Sequence, residues 1–374
     1  MLKPSAAKIL FLFFTCLLLV FLTSCLSEAP EEKERGTAPE DGAETAPATE
    51  VIPSAHSQLR FHPREKPGEV PLHLQEKKPN ELGEIMILMY HDIGHPEDEW
   101  RRTPENFRRD LRVLYENDFR IVSLNDVITG NIDIPAGTSP VVLTFDDGFE
   151  GQFKYRGQDG ELQKDQESAV YIMENFYREN PDFGLGGTFY IYYPVPFRQP
   201  EYVGKKLNYL VEQGFEVGNH SYGHANLSRI STEEVQRELA LHVKETWQYL
   251  NDYNVNSLAL PYGAYPEETS SAVKGSYNGI EYHHEAVLLV GSNPAPSPFH
   301  KEFDPHRLPR IRASEMETDG VGMYDWLEYF EENPHKLYIS DGDTDYITVP
   351  KSQKENINNE AVKEKDKTVR YYSD

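Results

Sequence analysis

The chain has 374 residues, with 37 Lys+Arg against 62 Asp+Glu, a net charge of −25 at pH 7. At 38% hydrophobic and 12% aromatic it is too apolar to be wholly disordered, so a sizeable core is expected. So acidic a chain lacks the broad positive field that draws phosphates, which argues against nucleic acid as a partner.

Residues 1–25 run from a positively charged start (Lys3, Lys8) through an apolar stretch to Leu22-Thr23-Ser24-Cys25. That order is the order of a secretory signal, and the stretch is short for a spanning helix, which needs about 20 apolar residues. Leu-Thr-Ser-Cys resembles the lipobox of bacterial lipoproteins, in which the cysteine receives diacylglycerol and becomes the new N-terminus. An uncleaved anchor is the alternative, and both imply export to the cell envelope with attachment to a membrane. With Cys16 inside the signal and Cys25 lipidated, the mature chain would keep no thiol for a disulfide, a Cys-ligated metal or a nucleophile. Residues 26–83 are dense in Glu, Ala, Pro and Thr without a sustained apolar period, and read as a disordered acidic tether. Residues 84–350 are expected to form one catalytic domain, and residues 351–374 a charged, loosely ordered tail.

Within the domain the hydrophobic period alternates. Strands fit 85–89, 120–124, 141–145, 188–191, 215–218, 257–260 and 286–290, of which 85–89 is an apolar run suited to a buried strand. Between them, Thr103-Pro104 offers an N-cap and a first-turn proline for a helix carrying Phe107, Leu111 and Leu114. Further helices fit 168–179 and 203–213, and Ser231-Thr232-Glu233-Glu234 is a capping box for a longer one. The long stretch 150–186 admits a substrate lid or an extra helix, and the extra helix is the favoured reading, because Val170, Met173, Phe176 and Tyr177 need a surface to cover. Alternation of this kind predicts an α/β fold with parallel strands and outer helices, either an open sheet or a barrel, the latter typically of about 250 residues. Active groups then gather at the carboxyl ends of strands.

Three strand ends carry polar residues. Asp146-Asp147-Gly148 places two carboxylates together, which is costly to desolvate without a compensating cation or donor; a solvated turn is the plain alternative. His220 and His224 are four apart, a recurrent spacing for metal ligands, and with one carboxylate they would form a His2Asp set with open positions. Two surface histidines are the competing reading. Leu260-Pro261-Tyr262-Gly263 fixes an irregular backbone that could present an aromatic ring and a free N–H. Tyr192, Tyr193, Phe197 and Tyr222 could also offer stacking faces, though packing is the commoner use of such rings.

These segments resemble the polysaccharide deacetylases with a NodB-type homology domain, carbohydrate esterase family 4. Thr144-Phe145-Asp146-Asp147-Gly148 is similar to the family's first motif, His220-Ser221-Tyr222-Gly223-His224 to its second, and Pro261-Tyr262-Gly263 to the end of its third. The resemblance implies a distorted (β/α) barrel of NodB-homology type. It also implies a divalent metal, zinc first with cobalt or nickel as alternatives, on Asp147, His220 and His224, with Asp146 as catalytic base. Pro261 and Tyr262 would then face substrate and oxyanion. Two departures stand out: Ala259 occupies the place of the usual third-motif arginine, and the late Leu-x-His motif is absent. His91 in Leu88-Met89-Tyr90-His91 is similar to the arrangement in the poly-N-acetylglucosamine deacetylase branch, where motif order is permuted, and would supply the catalytic acid. Arg310 in Leu308-Pro309-Arg310-Ile311 is a candidate for that branch's late pattern. The implied substrate is an N-acetylated polysaccharide, either exopolysaccharide or peptidoglycan. An O-acetyl xylan esterase and a non-catalytic glycan-binding lipoprotein are the alternatives.

Overall fold

The computed structural model describes residues 70–158 and 161–373. The expected signal segment, Cys25 and most of the expected tether lie outside them. Eight parallel strands form the main sheet: β1 (Met86–Tyr90), β2 (Phe119–Ile121), β3 (Ser139–Asp146), β4 (Thr188–Ile191), β5 (Glu216–Asn219), β6 (Ser257–Ala259), β7 (Ala286–Leu288) and β8 (Ile311–Arg312). Their spatial order is β7-β6-β5-β4-β3-β1-β8, with β2 beside the start of β3. Every residue of β1 and β3 is buried, as expected for strands covered on both faces.

The sheet curls. Leu308 bridges to Leu288 on β7, and three residues later Ile311 pairs with Leu88 on β1, so residues 308–312 touch both edges. Strand alternation then sorts side chains. Leu88, Leu143, Phe145 and Phe189 face the outer helices, whereas Ile87, Val142, Tyr190, Ala259, Leu288 and Leu308 fill the interior. Because Val142 points inward, the period of two also turns Thr144 and Asp146 inward. Asp147 follows at the rim.

The helices cover the outer face. Thr103 Oγ1 accepts the Asn106 N–H at 3.3 Å and starts α1 (Pro104–Glu116), which buries Phe107, Leu111 and Leu114. A capping box on Ser123 opens α2 (Leu124–Thr129), and α3 (Ala169–Glu179) buries Val170, Met173 and Tyr177. Helix α4 (Val203–Glu212) follows. Ser231 and Glu234 exchange backbone N–H bonds at 3.3 and 2.9 Å to cap α5 (Thr232–Thr246). Leu250 lies beyond α5 yet is buried. The 150–186 stretch contains α3 as read, and also an antiparallel hairpin, Tyr155–Gln158 with Glu161–Lys164, that the helical period does not announce.

Two boundaries differ from the sequence reading. The tether expected to reach residue 83 ends earlier. Among residues 70–83, Val70 and Leu82 are buried and Asn80 N–H donates to the Ile339 carbonyl at 2.9 Å. The expected loose tail is folded: β9 (Tyr346–Pro350) pairs in parallel with β10 (Thr368–Tyr372), and α7 (Asn359–Glu364) lies between, after α6 (Met323–Glu332). Few apolar residues suffice there because they converge: Leu82, Phe299, Ile347, Val349, Ile357 and Val362 form one small cluster. Beneath it Arg370 pairs with buried Asp341 at 2.7 Å.

Candidate active site

Asp147, His220 and His224 converge at the strand mouth, with one potential ligand atom from each within 4.8 Å of the others. His220 Nε2 and His224 Nε2 lie 3.4 and 3.1 Å from the same oxygen, Asp147 Oδ1. The other imidazole nitrogens are engaged. His220 Nδ1 is 2.7 Å from the Ala259 carbonyl, so it carries the hydrogen and leaves Nε2 a lone pair; His224 Nδ1 is 3.2 Å from the Tyr262 hydroxyl. Such outer partners fix tautomer and ring orientation for metal ligation. Asp147 Oδ1 is buried and has no hydrogen bond of proper geometry. An orphaned carboxylate oxygen facing two imidazole nitrogens fits a divalent cation, and the donor set suits zinc or a neighbouring first-row metal.

The backbone is shaped for this convergence. Asp147, Ser221, His224 and Tyr262 all have left-handed φ, between 55° and 74°. Such conformations persist only where surroundings enforce them. The two histidines meet through an irregular turn. Asn219 Oδ1 accepts the Ser221 N–H at 2.9 Å, Ser221 Oγ the Ala225 N–H at 2.9 Å, and Glu238 Oε2 the Gly223 N–H at 2.8 Å. Their rings end with centroids 4.9 Å apart. Gly148, at φ 59°, packs against Ile191 and the Phe197 backbone, where a Cβ would crowd both.

Asp146 lies inside the curl, 1% exposed, and both its oxygens accept from fully buried Arg310, Nη1 and Nη2 each at 2.7 Å. Arg310 also donates to Thr144 Oγ1 and the Leu289 carbonyl. Burial alone would raise the Asp146 pKa; Arg310, aided by His220 and His91, reverses this and holds the carboxyl below its ordinary range. Asp147 is likewise pushed up by burial but drawn well down by His220 and His224. For His220 the Asp147 and Asp146 carboxylates outweigh burial and raise the pKa.

His91 directly follows β1, and its pKa is lowered by burial, partly opposed by Asp146 and Asp147. Pro261 is buried, while Tyr262 is 65% exposed with its hydroxyl at His224. Of the other rings considered, Tyr193 and Phe197 are buried packing; Tyr192 lies 5.2 Å from the His224 ring and accepts from Arg198 at 2.6 Å. Arg198, which also reaches the Asp147 carbonyl at 3.3 Å, carried no signal in the sequence.

Residues 133–278 match a family model described as polysaccharide deacetylase. Among solved structures, the chain is similar to the Streptococcus pyogenes deacetylase PplD in complex with acetate, at 18% identity over 66% of this chain and 97% of that one, TM-score 0.46. It is also similar to BC0361, a polysaccharide deacetylase from Bacillus cereus, at 15% identity over 66% and 68%, TM-score 0.46. IcaB from Ammonifex degensii overlaps at 15% identity over 65% and 97%, TM-score 0.42. The family match includes Asp146, Asp147, His220, His224, Pro261 and Tyr262, while His91 and Arg310 lie outside it. By the family model, residues 133–278 carry a polysaccharide deacetylase domain, that of a hydrolytic enzyme.

Proposed function

We propose that the protein hydrolyses acetamide groups on an N-acetylglucosamine-containing polysaccharide, either exopolysaccharide or peptidoglycan, and releases acetate. The observation that carries this reading is the convergence of Asp147, His220 and His224 beside the Arg310-bound carboxylate of Asp146. Asp147 Oδ1 and the Nε2 atoms of His220 and His224 would hold a divalent cation, which supplies Lewis acidity toward a carbonyl oxygen and toward water. Asp146 takes the proton of the attacking water. A carboxylate has about four lone-pair sites, so the two bonds to Arg310 leave capacity for that proton while fixing the group's orientation. His91, in its protonated form, gives a proton to the departing sugar amine; burial lowers its pKa, and the nearby Asp146 and Asp147 carboxylates partly offset this in favour of the protonated form. The left-handed turn at Tyr262 presents its backbone N–H and ring to the acyl group.

Acetate release from N-acetylated chito-oligomers, peptidoglycan and acetyl-xylan, measured before and after chelation and metal return, tests this reading. Metal-dependent release from either of the first two is expected. Release from acetyl-xylan alone would make the protein an O-acetyl esterase, and stoichiometric metal with no release from any would make it a glycan-binding protein.

We also propose export and lipid anchoring at Cys25, supported by the charged start, the apolar run and Leu22-Thr23-Ser24-Cys25. Incorporation of labelled palmitate by the wild-type chain, and its loss in Cys25→Ala, is the expected result.

A further inference from the structure

The loop after β1 carries a feature that the proposed reaction leaves unused. Asp92–Ile93 pairs with Arg101–Arg102, and between these short strands Trp100 is held out from the fold. Its backbone N–H donates to Asp98 Oδ1 at 2.9 Å, its carbonyl accepts from Asp92 N–H at 3.1 Å, and the adjacent Arg101 is tied to Asp92 at 2.8 Å. The Arg312 guanidinium lies 5.1 Å from the indole centroid, itself fixed by Glu99 at 2.5 Å. Trp100 nevertheless keeps 41% of its surface exposed.

Two details give this exposure a direction. The indole meets the His91 imidazole edge to face, centroids 4.7 Å apart at 63°. The indole N–H groups of Trp247 and Trp326 donate to the carbonyls of Tyr253 and Ser292, each at 2.9 Å. That of Trp100 has no hydrogen-bond partner among the described residues. A large apolar ring with an unspent donor, rigidly mounted beside His91, matches a pyranose, which offers an apolar C–H face and a rim of hydroxyls.

We propose that Trp100 is a substrate-binding residue, packing against the sugar ring that bears the reacting acetamide and donating its indole N–H to that sugar's hydroxyl rim. This rests on the reading of His91 as the group that protonates the departing amine. The amine nitrogen is bonded directly to a ring carbon, so a sugar whose nitrogen reaches His91 must lay its ring on the surfaces flanking His91. On the loop side that surface is Trp100. A hexosamine polymer is therefore preferred over acetylated groups that have no ring at this position.

The test uses the full-length, zinc-loaded chain. Binding of N-acetylated chitotetraose is measured calorimetrically in the Asp146→Asn background, and kcat/KM in the Asp146 background on chitotetraose and on 4-nitrophenyl acetate, which has no sugar ring. Trp100→Ala is expected to weaken binding about tenfold, and Trp100→Phe, which keeps an aromatic face without the N–H, about threefold. In kcat/KM, Trp100→Ala should lose at least tenfold more on chitotetraose than on the ester. Equal losses on both substrates, or an unchanged Kd, would overturn the proposal and leave Trp100 a support for the loop. The two readings fail separately. A wild-type chain that binds chitotetraose but releases no acetate from any glycan contradicts the proposed function, while Trp100 is still judged by Kd. A wild-type chain that deacetylates peptidoglycan yet binds no chito-oligomer contradicts the Trp100 proposal alone.

Discussion

Arg310 clasps Asp146 through two hydrogen bonds of 2.7 Å, and both side chains are buried inside the curled sheet. The guanidinium arrives from residues 308–312, which join the two sheet edges. Removing one partner of a buried pair leaves an uncompensated charge. Arg310→Met is therefore expected to cost about 3–5 kcal/mol in urea unfolding, and the Arg310→Met/Asp146→Asn double variant clearly less than the sum of the singles. Additive losses would show that the pair is not coupled.

The proposed metal ligands and the proposed base separate by substitution. His220→Ala should lose bound metal in elemental analysis, because one of three donors disappears. Asp146→Asn should retain the metal and lose turnover by two orders of magnitude or more, as expected for removing a general base. Metal loss in Asp146→Asn would contradict this division.

Acid sensitivity should trace in part to His284, on the far side of Asn219 from the site. Its Nδ1 bonds the Ala272 carbonyl at 2.7 Å and its Nε2 lies 3.2 Å from Asn219 Nδ2, and burial lowers its pKa to about 4. A histidine depressed on folding binds its proton more readily in the unfolded chain. Stability is thus kept above the unfolded value of 6.5 and lost as pH falls toward 4, by roughly 3 kcal/mol in all. His284→Gln should show a flatter loss of stability than wild type between those values; parallel curves would rule the residue out.

The folded C-terminal segment makes a prediction the charge pattern would not. Deleting residues 351–374 removes β10 and α7 and uncovers Ile347 and Val349. Loss of buried Ile357 and Val362 alone implies roughly 3–6 kcal/mol, an upper range because the unfolded chain already buries some of this surface. Unfolding midpoints of the two chains would measure it. A midpoint unchanged by the deletion would mean that the pairing adds nothing to the domain.

The sequence by itself determined the local layers of this protein. Residues 141–145, apolar but for Thr144 and rich in β-branched side chains, suit a strand covered on both faces, and Ser231 with Glu234 marks a helix start within one turn. Asp147, His220 and His224 were legible for the same reason: each ends or follows a strand whose register its own neighbours set. What depends on contacts between distant segments stayed hidden. That Arg310 belongs to Asp146 follows from sheet closure, and a closure register is a property of strand pairing with no local pattern. That residues 351–373 fold follows from apolar side chains too sparse to form a period but sufficient once Leu82 and Phe299 meet them. Local chemistry is written in short spacings. The pairing of a carboxylate with its guanidinium, and of a tail with a distant strand, is decided only when long-range packing outweighs the entropy of bringing those segments together.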